Sequence, residues 1–143
     1  MVTVHARRRS VSTNSGPGPE QAAVGRSVDL FFAGHPDART VFDRLLAVLE
    51  AAGGCAVRVS KSQVAFRRRR GFAYLWLPGQ YLSRPAADVV LTIALGRRDP
   101  SPRWKEVVHP ARTQWMHHLE VHDPLELDDE VAAWLREAAA RAG

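Results

Sequence analysis

Cysteine is nearly absent from the 143-residue sequence, and Cys55 alone cannot form an internal disulfide. We expect it to be a core or turn residue, in a chain that belongs to a reducing, cytoplasmic compartment. Long hydrophobic runs are also missing, because no apolar stretch approaches the roughly 20 residues of a membrane span. The basic N-terminus is not followed by the apolar segment of a secretory signal. The sequence therefore predicts a soluble protein without a membrane partner.

Catalytic signatures are missing as well. The sequence contains no Gly-rich phosphate loop, no Cys-x-x-Cys pair, no nucleophile elbow and no His-Glu-x-x-His segment. It therefore assigns no enzyme activity and no catalytic residue.

Lysine is scarce, since 18 of the 20 basic residues are arginine. Twelve basic and three acidic residues lie in the segment 58–112, whereas two basic and seven acidic residues lie in 113–143. Such asymmetry predicts a surface field that attracts polyanions. A general arginine bias in the genome would give the same counts without a binding site, and the sequence does not separate the two.

Hydrophobic periodicity predicts one α+β domain. Residues 1–26, rich in Ser, Gly, Pro and Arg, read as a disordered basic tail, and the domain spans 27–143. Apolar residues recur at helical spacing over 37–52 and again from about 128 onward. Alternating segments between them predict an antiparallel sheet of about five strands. We expect both helices to pack on one sheet face and leave the other partly open.

Several segments resemble a known bacterial family. They are SKSQVAFR at 60–67, GFA at 71–73, WKEV at 104–107 and WMHHLEV at 115–121, together with the final helix. The chain resembles, over 31–142, the uncharacterised family catalogued as domain of unknown function 5655. That resemblance implies no activity, because the family has none assigned.

Basic and aromatic residues alternate through the strand region, which is the chemistry of nucleic-acid binding. The hairpin turn 68–71 is the densest part of this set. We predict that a basic sheet face and this turn bind nucleic acid or another anionic ligand; the alternative is a solvated turn above core aromatics. The basic set is Lys61, Arg67, Arg68, Arg69, Arg70, Arg97, Arg98 and Arg103, and the aromatic set is Phe72, Tyr74, Trp76, Tyr81 and Trp104.

A second candidate is a divalent-metal site. His118, Glu120 and His122 fall on one face of a strand, where two imidazoles and a carboxylate can hold an ion. The alternative is an ordinary polar face of an edge strand. No other cofactor is predicted.

A third candidate is a small-ligand pocket around Lys61. If Lys61, Gln63 and Arg67 share a strand face, Tyr74 and Trp76 of the next strand complete a site for an anionic aromatic ligand. An exposed edge strand would also allow pairing between two copies, so the sequence permits a monomer or a homodimer.

Overall fold

The computed structural model describes residues 18–78, 87 and 89–143, and the backbone of 2–4. Three α-helices and seven β-strands make up this part of the chain. The helices are α1 (Pro19–Phe31), α2 (Pro36–Ala51) and α3 (Asp129–Arg141), and the strands are β1 (Val2–Val4), β2 (Cys55–Val59), β3 (Val64–Arg67), β4 (Gly71–Trp76), β5 (Val89–Leu95), β6 (Glu106–Ala111) and β7 (Gln114–Val121). A short 3-10 helix at Pro124–Glu126 precedes α3.

The strands form one antiparallel sheet in the order β1-β2-β3-β4-β5-β7-β6. The α+β class and the antiparallel sheet are as predicted, with more strands than the expected five or so. Strand β5 lies between β4 and β7 and is buried along its whole length. Strand β6 lies at an edge and is largely exposed.

One face of the sheet carries the hydrophobic core. Its centre is made by alternate residues of neighbouring strands, such as Phe66, Leu75 and Leu91, all of which are fully buried. Apolar residues of all three helices join the same cluster. The helices therefore cover one face, as predicted, and the opposite face carries the side chains between these core positions. Among them are Tyr74, Thr92 and His118, which lie opposite one another on β4, β5 and β7.

Helices α2 and α3 follow directly from their sequences. In α2, Val41, Leu45 and Leu49 recur every four residues and are buried, so one stripe faces the sheet. Helix α3 begins after Asp128, whose carboxylate accepts a hydrogen bond from the Val131 N–H at 3.1 Å. Gly53 and Gly54, both with positive φ, end the α2 segment as glycine usually does.

Helix α1 differs from the prediction, because it begins at Pro19, inside the segment that we expected to be disordered through residue 26. Its Val28 is buried in the core, and Val24 and Phe31 pack against the core from its edge. Strand β1, near the N-terminus, pairs with β2. The rest of the expected tail, 5–17, lies outside the described residues. None of the described helices is long and apolar enough to cross a membrane.

Candidate functional site

The arginine-rich turn joins β3 to β4 and is anchored by the ends of two helices. The Arg68 N–H donates to the Arg70 carbonyl at 3.0 Å, which closes the tight turn that the sequence predicts. The Arg68 guanidinium donates to the carbonyls of Ala52 at 2.9 Å and Gly54 at 3.2 Å, just beyond α2. Carbonyls at a helix C-terminus lack partners and carry partial negative charge. Arg68 therefore stabilises the end of α2.

The next two residues of the turn contact the end of α3. The Arg70 guanidinium donates to the Arg141 carbonyl at 2.9 Å, and the Arg69 N–H donates to the Ala142 carbonyl at 3.0 Å. The Arg69 side chain is exposed and makes no hydrogen bond or ion pair with any described residue. The backbone of the turn is thus fixed, while Arg69 and the rest of the Arg70 guanidinium face solvent.

Two more turns lie at the same end of the sheet. Leu95, the last residue of β5, pairs with Trp115 near the start of β7. The segment after β5 and the turn between β6 and β7 are therefore neighbours. They carry Arg98 and Arg112, whose exposed side chains make no hydrogen bond or ion pair within the described residues.

Arg141, in the last turn of α3, connects these turns. Its guanidinium donates to the Gln114 Oε1 at 3.2 Å and to the Thr113 carbonyl, and none of its contacts is an acid. We use the name arginine end for the five side chains that meet here without an acidic partner among the described residues: Arg69, Arg70, Arg98, Arg112 and Arg141.

Sequence reasoning missed Arg112 and Arg141. They are distant from the arginine turn along the chain and come close to it through the strand register and the docking of α3. The one available signal was the position of Arg141 in the last turn of a predicted helix, where a basic side chain is favoured.

Arg97 lies at the same end, but acids balance its charge. It donates to both oxygens of Glu137, at 2.8 and 2.9 Å, and to Asp99 at 3.0 Å. These bonds raise the pKa of Arg97 above its ordinary value, chiefly through Glu137. Arg97 therefore contributes to the attachment of α3 and little to the net charge.

The structure places Arg103 away from the arginine end, at the start of α3. It donates to the Asp128 carboxylate at 3.0 Å and to Glu130 at 2.9 Å. Burial opposes the ionisation of Asp128, but its bonds with the Val131 N–H and Arg103 hold its pKa below the ordinary value. Arg103 is thus a structural cation of the α3 N-terminus.

Lys61 is also separate. It lies in the turn between β2 and β3, at the opposite end of these strands from the arginine turn, and not on a strand as expected. The turn is closed by the Ser60 N–H donating to the Gln63 carbonyl at 2.9 Å. Lys61 borders a cleft of about 420 Å³ that Leu30 and Phe31 of α1 also line. The structure therefore does not bring Lys61 together with Tyr74 and Trp76.

Arg67 and Trp76 are half-buried at the ends of β3 and β4, respectively. The buried Nε of Arg67 has no hydrogen-bond partner. Trp76 lies on the open face, in a row with Val90 and Glu120. Because that face also carries acids, the basic residues are concentrated at the end of the sheet rather than across its open face. Tyr81 lies outside the described residues.

The three expected metal ligands contact three different partners. The His118 Nδ1 lies 2.7 Å from the Thr92 hydroxyl oxygen, and Glu120 forms an ion pair with Lys105 at 3.3 Å. The His122 Nδ1 lies 3.7 Å from Glu126, beyond the end of β7. Burial lowers the pKa of His118 below its ordinary value. In the part of the chain that the structure describes, no three His, Cys, Asp or Glu residues are grouped to hold an ion.

A buried polar network anchors the segment between β5 and β6. His117 is fully buried, as expected for the face opposite His118, and its Nε2 accepts the Asp99 N–H at 3.0 Å. The Asp99 carboxylate accepts the indole N–H groups of Trp104 at 3.0 Å and Trp134 at 3.2 Å. Burial lowers the pKa of His117. The network has no access to a substrate and serves the fold.

Cys55 is buried, as expected, and burial raises the pKa of its thiol to about 12. The thiolate is the reactive form of cysteine, and at neutral pH this site holds almost none of it. Cys55 is therefore not a nucleophile.

The family comparison now enters. The family model described as a domain of unknown function, DUF5655, matches residues 28–139, most of the chain. The chain belongs to this family. No curated protein and no solved structure matches it. The DUF5655 match includes four members of the arginine end and stops just before Arg141, and because the family has no assigned activity, the function must be argued from the site.

Proposed function

We propose that this DUF5655 chain binds nucleic acid through the arginine end. The observation that carries the proposal is the meeting of five arginine side chains from three turns and a helix terminus, with no acidic partner among the described residues. Guanidinium groups match phosphate oxygens in charge and geometry, and each offers several donors. A surface of this kind binds the phosphate backbone with little dependence on base sequence.

The arginine end is held in place before any ligand binds. Arg70 spends one donor on the Arg141 carbonyl, and Arg141 is fixed by Gln114 and Thr113. The turn that carries Arg69 is bonded to the end of α3 through its backbone. Side chains that are already ordered lose less conformational entropy on binding, so more of the phosphate interaction appears as affinity.

The distribution of acids supports the same orientation. Acidic residues are concentrated at the opposite, N-terminal end of α3, where Asp128, Asp129 and Glu130 form its cap and first turn. A polyanion approaching that end is repelled and one approaching the arginine end is attracted, which favours a single docking orientation. We place this function in the bacterial cytoplasm, since a chain with one buried cysteine suits a reducing compartment.

The test compares two double variants that remove the same charge. In Arg98→Gln/Arg112→Gln the substitutions lie in the arginine end, and in Arg58→Gln/Lys61→Gln they lie at exposed positions near the β2–β3 turn. Fluorescence anisotropy with a labelled DNA strand, across a salt series, gives the slope of log affinity against log salt. We expect the arginine-end variant to lower that slope by about 1.4 to 1.8, the effect of two lost phosphate contacts.

The matched variant should leave the slope close to that of the unmodified protein. Equal losses in the two variants would contradict the assignment to the arginine end and indicate a diffuse charge effect. Absence of binding by the unmodified protein at low salt would refute the function itself.

A further inference from the structure

Two aromatic rings lie beside the arginine end. The imidazole of His109, on edge strand β6, stacks on the indole of Trp115, on β7, with ring centroids 3.4 Å apart and planes 9° from parallel. Trp115 was expected to be a core residue, but it is half-buried and lies outside the hydrophobic core. His109 is exposed. One face of the imidazole is covered by Trp115, and its exposure lies on the other side.

The ring pair is fixed to the turn that carries Arg112. The His109 Nε2 lies 3.2 Å from the Arg112 carbonyl oxygen and donates its proton to it, which leaves Nδ1 without that proton. The stacking and this hydrogen bond together hold the ring in one orientation. Trp115 is joined through the sheet to Leu95, three residues before Arg98. The ring pair therefore lies between two turns that supply phosphate-binding cations.

We propose that the outer face of His109, backed by Trp115, stacks an unpaired base, so that the arginine end selects single-stranded nucleic acid. In a duplex each base is already stacked and paired, and its face is closed to a side chain. In a single strand the base is available while the adjacent phosphates contact Arg98 and Arg112. This inference rests on the proposed function, because the ring alone supplies no phosphate contact.

The experiment uses three labelled ligands of the same length, roughly 15 nucleotides. They are an oligothymidine, an abasic strand with the same phosphates and no bases, and a duplex. With the full chain, oligothymidine should bind at least about fivefold more tightly than the abasic strand, the loss expected for one stacked base. The variant His109→Thr/Trp115→Thr, which removes both rings without changing formal charge, should abolish that preference.

His109→Phe, which keeps a ring at the stacking position, should retain the preference, and the exposed His35→Ala should leave it unchanged. If the double variant does not fold, NMR of the unmodified protein replaces it: the His109 ring protons should shift upfield with oligothymidine and not with the abasic strand.

The outcomes separate the two proposals. Equal affinity for oligothymidine and the abasic strand would overturn base stacking and leave phosphate binding by the arginine end intact. Failure of all three ligands to bind at low salt would overturn the proposed function as well. A preference that survives loss of both rings would also overturn the stacking role of His109.

Discussion

At the scale of single residues, the buried His117–Asp99 contact decides how the structure responds to pH. His117 accepts a backbone N–H at Nε2 and donates from Nδ1 to the Trp115 carbonyl at 3.0 Å, so it must be neutral. Protonating Nε2 would replace that hydrogen bond with a clash between two donors in a buried site. Asp99 and Arg97 are the charged groups nearest to the imidazole in its electrostatic surroundings.

We predict that the free energy of unfolding decreases on acidification and that His117 accounts for part of the decrease. Burial lowers the folded pKa of His117 below the value of about 6.5 expected when it is unfolded. Between these two values the unfolded state binds more protons, so stability falls as pH falls and is fully present above about pH 6.5. Urea unfolding between about pH 7 and 5 measures this slope, which is at most about 1.4 kcal/mol per pH unit for one group.

His117→Gln should flatten the slope while lowering stability at neutral pH. His118, whose pKa is lowered by burial as well, adds a contribution of the same sign that persists in the variant. An unchanged slope in His117→Gln would mean that the imidazole is not held neutral by its contacts.

At the scale of elements, arginines at strand turns stabilise helix ends. Arg68 bonds the carbonyls that follow α2, and Arg70 bonds the last turn of α3. Neither helix has a basic side chain at both of these positions from its own sequence: α2 has none in its last turn, and α3 has Arg141. Part of the arginine enrichment is therefore explained by folding rather than by ligand binding.

We predict that Arg68→Ala destabilises the protein by about 1–2 kcal/mol, because it leaves half-buried carbonyls at the α2 terminus without a charged donor. Arg69→Ala is the control from the same turn, since the Arg69 side chain makes no hydrogen bond, and it should cost less than about 0.5 kcal/mol. Chemical denaturation of both variants gives the comparison. Equal costs would show that the turn responds to loss of packing or charge alone.

Strong periodicity made the helices predictable. The expected helix over 37–52 matches α2 at Pro36–Ala51, because a single stripe of buried apolar residues defines it. Helix α1 was missed, since its surroundings are rich in Gly, Ser and Pro and Val28 alone is fully buried. Its position depends on the hydrophobic edge of a sheet that is built from later parts of the chain.

Strand ends were harder to predict than strand centres. Alternation suggested a strand from 62 onward, but Ser60 and Gln63 close a turn through hydrogen bonds and β3 starts at Val64. The expected strand over 104–108 is displaced to β6 at Glu106–Ala111, which contains Pro110. An edge strand tolerates proline because one side of it has no ladder partner, and the register shifts after Val108.

The candidate site could not be read from spacing for a related reason. The arginine set was correctly associated with one turn, but the same sequence pattern included Arg97 and Arg103, which acids of α3 neutralise. Which cations are free depends on how α3 docks, and that docking joins residues more than twenty positions apart. Local sequence carries no record of such partners.

At the scale of the whole molecule, α3 connects the core, the polar network and the arginine end. Its apolar face reaches the shared core, and its Trp134 N–H donates to Asp99. Its C-terminal turn receives the arginine turn, and Arg141 reaches the turn between β6 and β7. The helix thus determines both the stability of the sheet and the arrangement of the proposed binding surface.

We predict that a chain ending at Asp128, without α3, does not fold. Val131, Trp134 and Leu135 are nearly or fully buried, and burial of each such side chain contributes about 1.5–3 kcal/mol. Their combined loss, with that of the small residues between them, is comparable to the whole stability of a typical domain, about 5–15 kcal/mol. Arg136→Ala, an exposed substitution on the same helix, is the control and should retain the native near-ultraviolet circular dichroism. A cooperative urea transition in the truncated chain would contradict this integrating role, because the sheet and the other two helices would then be stable without α3.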